Sequence, residues 1–144
     1  MDPATKYAED VVNGKQAACR FVRLACERHL KDLEKKDWPY YWSPEAAARF
    51  YKFTKYLKHY KGQYAGQVFE LLPWQYFVFG SIYGWLKKET DEWRFNFSYI
   101  EIPRKNGKTT MLAGAALYDS AFIERTGCET YCVATKEDQA KLLF

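Results

Sequence analysis

The chain has 144 residues, 48% hydrophobic and 28% charged, with a net charge of +4 and an unusually high aromatic share of 19%. That is enough chain for a real core, and the balance is ordinary for a soluble globular protein. No run reaches the length of a membrane span, the first ten residues lack the basic and apolar blocks of a signal peptide, and the mild positive charge permits contact with nucleic acid without arguing for it.

The first part of the chain, 1–66, reads as a helical lead. Pro3 to Val12 forms a short helix. From Lys15 to Lys36, Cys19, Val22, Cys26, Leu30 and Leu33 follow helical spacing, while Arg20, Arg23, Arg28 and Lys31 take the other faces. Residues 37–42, Asp-Trp-Pro-Tyr-Tyr-Trp, break that pattern. Ser43-Pro44-Glu45 then supplies a capping hydroxyl, a proline at the first turn and an acid near the positive end of the dipole. The helix it starts is expected to run to about Tyr60, with Phe50, Phe53 and Leu57 facing the core. Residues 62–66 form a linker.

Between Arg49 and Lys61, basic residues (Arg49, Lys52, Lys55, Lys58, His59, Lys61) interleave with Tyr51, Phe53, Tyr56 and Tyr60. The mixture suits phosphate contacts with stacking nearby, and equally suits a solvated helix face beside a core stripe. His29 and His59 read as surface or partly buried residues. Cys19 and Cys26 lie seven apart on one helical face, and Cys128 and Cys132 flank a turn and a strand. Neither pair is a C-x-x-C, so all four read as free, mostly buried thiols.

The second part, 67–144, changes character. Leu71-Leu72-Pro73-Trp74-Gln75 opens a helix in which Trp74, Val78, Ile82 and Trp85 recur at helical spacing, with Pro73 at the first position. That puts Gln75 near a helix start. Its amide offers a donor and an acceptor, as an adenine edge requires, although a surface glutamine is the simpler reading. Residues 94–102 alternate apolar and polar side chains and read as a strand. Gly107-Lys108-Thr109 follows, at the passage from that strand into a helix expected over Thr109 to Glu124. Thr130 to Thr135 is β-prone and completes a βαβ unit.

A helix N-terminus presents unpaired N–H groups and the positive dipole end, so a phosphate is at home there. Gly107 lets the backbone approach it, Lys108 supplies a mobile charge for the outer phosphates, and the Thr109 hydroxyl is placed for Mg²⁺. These are three of the four fixed positions of a Walker A loop. The leading glycine is replaced by Ile102, and the loop runs Pro103-Arg104-Lys105-Asn106.

Leu-Pro-Trp-Gln, then Ile-Pro-Arg-Lys-Asn-Gly-Lys-Thr-Thr, then Cys-Val-Ala-Thr-Lys-Glu-Asp-Gln-Ala together resemble the amino-terminal part of the large terminase subunit of tailed bacteriophages. That family carries a variant Walker A loop with basic residues in place of the glycine-led form. The resemblance implies an α/β fold in which the helical lead is followed by the start of a P-loop NTPase parallel sheet. It implies ATP and Mg²⁺ as cofactors, with Gln75 at the adenine. Arg104, Lys105, Asn106, Gly107, Lys108, Thr109 and Thr110 would line the phosphates. Thr109 would ligate the metal, and Arg104 would act as a sensor or cis-acting arginine finger for the γ-phosphate. Thr135 and Gln139 match the segment after the second strand that such motors use in nucleotide or DNA coupling.

The implied partners are double-stranded DNA, the portal protein and the small terminase subunit, and the implied compartment is the host bacterial cytoplasm. The acidic strand and the nuclease domain of the family lie beyond Phe144. The expectation is therefore an incomplete domain that binds nucleotide weakly or not at all and does not turn it over. Unpaired sheet edges would favour self-association. Two other readings remain: a helicase-like P-loop ATPase, and a small helical interaction or nucleic-acid-binding protein in which Gly-Lys-Thr is accidental.

Overall fold

Asp2 starts the first helix by accepting the Thr5 N–H on its carboxylate at 2.9 Å, and Pro3 takes the first helical position. This helix, α1 (Pro3–Val12), buries Ala4, Tyr7, Ala8 and Val11 and ends where Gly14 enters the left-handed region at φ 74°. The computed structural model describes residues 1–59, 63–103, 106–122, 129, 131 and 133.

The remaining elements are α2 (Arg20–Leu33), β1 (Tyr40–Trp42), α3 (Pro44–Thr54), α4 (Pro73–Gly84), β2 (Trp85–Lys87) and α5 (Lys108–Phe122). Ser43 caps α3 by accepting the Ala46 N–H at 3.2 Å, as its sequence suggests. The helix stops at Thr54, short of Tyr60. The segments fall into two compact units: Met1–Lys52 with Glu70–Ser98, and Phe53–Phe69 with Tyr99–Phe144.

In the first unit α1 packs against α2 and α4, and β1 pairs antiparallel with β2 in the register Tyr40↔Lys87, Tyr41↔Leu86, Trp42↔Trp85. Close helix approach needs a small residue on α4. A Cβ on Gly80 would stand 2.7 Å from the Ala4 methyl, and one on Gly84 would stand 2.6 Å from the Trp42 ring. Phe50 is fully buried, with its ring 4.4 Å from Phe79 and 4.6 Å from Tyr83 between centroids, so truncating it should cost about 3–5 kcal/mol.

A second cluster forms around α2. Its buried positions Cys26, His29 and Asp32 recur every third residue. His29, expected at or near the surface, is 2% exposed, with its ring edge-on to Trp42, Phe77 and Trp85. Asp32 accepts Lys35 and Arg94 at 2.7 Å each. Burial alone would raise its carboxyl, but hydrogen bonds from Lys35 and Arg94 hold it below the usual range. The Arg94 guanidinium lies 4.4 Å from the Trp38 ring centre and 4.6 Å from that of Phe95.

The strand expected over residues 94–102 differs from the structure. Residues 95–102 carry no strand ladder, and Phe97 and Tyr99 are 94% and 89% exposed. A strand is defined by its hydrogen-bonded neighbour, and the neighbour expected here, Thr130 to Thr135, falls almost wholly outside the described residues. The only sheet among the described residues is accordingly the antiparallel pair β1–β2, so helix and strand are mixed without a parallel P-loop sheet being part of what is described.

Candidate functional site

The second unit holds the Gly-Lys-Thr turn. Asn106 donates its side-chain N–H to the Pro103 carbonyl at 3.2 Å and so clasps the loop from one side to the other. Gly107 follows at φ 70°, a conformation that suits glycine, and a Cβ there would meet nothing within 4 Å. Helix α5 begins at the next residue, Lys108, and its first closed backbone bond runs from the Met111 N–H to the Gly107 carbonyl at 2.9 Å. The N–H groups of Lys108, Thr109 and Thr110 therefore belong to the open first turn of a 15-residue helix.

Space and exposure suit an anion at this turn. Asn106, Gly107 and Lys108 are exposed, while Thr109 and Thr110 are half-buried. The helix is anchored one turn later by Met111, which is 1% exposed, and again at Gly114, which is buried. The donor set is a lysine ammonium, backbone amides and threonine hydroxyls, which fits a polyphosphate with a hard cation on its oxygens. Among the described residues no cluster of three or more His, Cys, Asp or Glu is placed to hold a metal by itself.

Gln75 lies in the first unit. It sits at the third position of α4, is 3% exposed, and its Oε1 accepts the Leu72 N–H at 2.8 Å. This is the returning half of a capping box; Leu72 has no side-chain acceptor to supply the other half. The sequence placed Gln75 at a helix start, and the structure adds a local task that the simpler surface reading lacks. Its amide oxygen has a second lone pair and its nitrogen two protons beyond that cap.

Arg104 and Lys105, Thr135 and Gln139, and Cys128 and Cys132 lie outside the described residues. Of the other two thiols, Cys19 is exposed, and Cys26 is fully buried with its pKa pushed up to about 12 by burial. Sequence reasoning missed the Asn106 clasp and the contact of Leu57 with Gly114. The first needs only an Asn able to bond backbone near it, since Asn106 lies three residues past Pro103, whose carbonyl it reaches. The second joins residues 57 apart, and no local pattern signals it.

The terminase large subunit ATPase domain is the family whose model matches the chain, over residues 73–144. No curated protein and no solved structure shows significant similarity. The match spans α4, the Gly107 turn and α5.

Proposed function

The chain belongs to the terminase large subunit ATPase family, and from that premise we propose that it carries the ATP-gripping part of a motor that packages double-stranded DNA into procapsids. The observation that carries the reading is the left-handed Gly107 placed directly before α5, with Lys108 exposed at the helix start. In this reading the amides of the first turn of α5 receive β- and γ-phosphate oxygens. The Lys108 ammonium follows the outer phosphates as a mobile point charge. Thr109 offers its hydroxyl to Mg²⁺, and Asn106 holds the loop in shape.

Mg²⁺, when bound with the nucleotide, supplies charge neutralisation at the phosphate oxygens. Thr110, Lys105 and Arg104 complete the phosphate-lining set, and Arg104 is the residue for γ-phosphate sensing. Gln75 reads the adenine edge with the amide groups its cap leaves over. Thr135 and Gln139 take the coupling role. The portal protein, the small subunit and duplex DNA are the partners of this proposal, and host cytoplasm is its compartment. No helix among the described residues is long and apolar enough to cross a membrane.

Titration of a fluorescent ATP analogue with Mg²⁺ tests the assignment. Weak, saturable, Mg²⁺-dependent binding that Lys108→Ala removes supports it. A titration that the substitution leaves unchanged contradicts it.

A further inference from the structure

The charge of this chain is unevenly placed. Between Ala46 and Phe69 there are five lysines and arginines and no acidic residue, against a net charge of +4 for the whole chain. The rest of the sequence therefore carries a slight acidic excess. Within that stretch, the part of the second unit that follows α3 folds as a short antiparallel hairpin. Phe69 donates its N–H to the Leu57 carbonyl at 2.8 Å, His59 donates to the Gln67 carbonyl at 2.9 Å, and Lys58 stands opposite Val68.

Alternation sorts its side chains onto two faces. Leu57 and Phe69 point inward: Phe69 is 4% exposed, and a Cβ on Gly114 of α5 would stand 2.7 Å from a Leu57 methyl. Lys58 and Val68 take the outer face and are exposed, and Tyr56, in the turn leading in, is 84% exposed. Lys55, at the turn leading in, is exposed too, and neither lysine has an ion-pair partner among the described residues. Gly114 lies six residues along α5 from Lys108, or roughly 9 Å at the helical rise.

We propose that the exposed surface formed by this hairpin and the turn leading into it, carrying Lys55, Tyr56 and Lys58, docks the sugar-phosphate backbone of duplex DNA. The inference deepens the packaging reading by naming where its DNA partner lies. Two unpaired ammonium groups and a phenolic hydroxyl, in a stretch of chain without acidic residues, neutralise and hydrogen-bond phosphates without reading sequence. Leu57 on Gly114 mounts that surface on the helix whose first turn faces the nucleotide, so a shift of α5 on phosphate binding reaches the hairpin through packed atoms.

The test is fluorescence anisotropy of a short labelled DNA duplex of mixed sequence with the whole chain, across a salt series. Lys55→Ala/Lys58→Ala is expected to weaken binding several-fold at low salt and to reduce the log–log salt slope by about two, one for each phosphate that goes without its lysine. Lys31→Ala/Lys36→Ala, which removes two exposed lysines from the first unit, is expected to leave both unchanged. An unaltered slope in the hairpin variant, an equal loss in the control, or no duplex binding by the wild type overturns the proposal. Polyglutamate binding as strong as duplex binding, with the same lysine dependence, overturns the DNA assignment. Nucleotide titration separates this from the reading it rests on, because Lys108→Ala should affect nucleotide alone and Lys55→Ala/Lys58→Ala duplex alone.

Discussion

The Trp85 indole donates its N–H to Nδ1 of His29 at 3.0 Å. An indole nitrogen can only donate, so Nδ1 is the acceptor and the imidazole proton sits on Nε2. From there it reaches Thr5 Oγ1 at 3.1 Å, and the Thr5 hydroxyl in turn donates to the Asp2 carboxylate at 3.0 Å. One directed chain thus ties β2 to α2 and to the N-cap of α1.

That chain requires a neutral ring. Burial depresses the His29 pKa to about 4, against the upward pull of Asp2 and Asp32. The unfolded histidine titrates near 6.5, so between pH 6.5 and 4 the unfolded state binds the extra proton. The stabilisation is complete above pH 6.5 and is lost as pH falls toward 4, by up to about 3 kcal/mol. Urea unfolding of wild type and His29→Gln at pH 7.5, 5.5 and 4.5 checks this. The difference between the two should shrink steadily with acidification.

Gly80 and Gly84 on α4 should resist substitution even though alanine is the better helix former by about 1 kcal/mol. Each Cβ would press on Ala4, Trp42 or Ala47 at 2.6–3.3 Å. Gly80→Ala and Gly84→Ala are therefore expected to destabilise by about 1–3 kcal/mol through overpacking. Gly107→Ala meets no neighbour and carries only the backbone strain of its φ of 70°, about 1–2 kcal/mol. Thermal melts followed by circular dichroism rank the three.

Arg94→Met removes the guanidinium that lies over Trp38, Tyr40, Trp85 and Phe95 and takes a partner from Asp32, which is 4% exposed. With Lys35 still in place, the loss should be about 2 kcal/mol. Because the Arg94 hydrogen bond helps to hold the Asp32 carboxyl low, its pKa should move upward, which carboxyl-detected NMR reads directly.

Much of this fold was legible in local chemistry. Asp2-Pro3 and Ser43-Pro44 are start signals, and α1 begins and α3 is capped where those residues stand. Helix α4 was legible as a helix but not as a face. Of its twelve residues nearly all are apolar, so the spacing of Trp74, Val78, Ile82 and Trp85 carried little information, and Trp85 opens β2 instead of continuing the helix. The residues buried are Gln75, Phe77, Phe79, Gly80, Tyr83 and Gly84. His29 read as a surface or partly buried residue, not a fully buried one, because its partners, Thr5 and Trp85, are 24 and 56 residues away. Arg94 read as the start of a strand, whereas it is held by Asp32 and by the rings of Trp38, Tyr40 and Trp85 from other segments, with its neighbour Phe95 beside them. The Gly107 turn was legible because its chemistry is contained in consecutive residues.

The most direct measurement is a titration of ¹⁵N-labelled chain with ATP and Mg²⁺, following the glycine amides by NMR. Gly14, Gly66 and Gly107 all adopt positive φ, at 74°, 83° and 70°, but only Gly107 stands immediately before a helix. Large shifts of Gly107, Lys108 and Thr109, absent at Gly14 and Gly66 and abolished in Lys108→Ala, are the expected result. Equal shifts at all three glycines, or none at Gly107 when others move, would contradict a phosphate-binding turn at the head of α5.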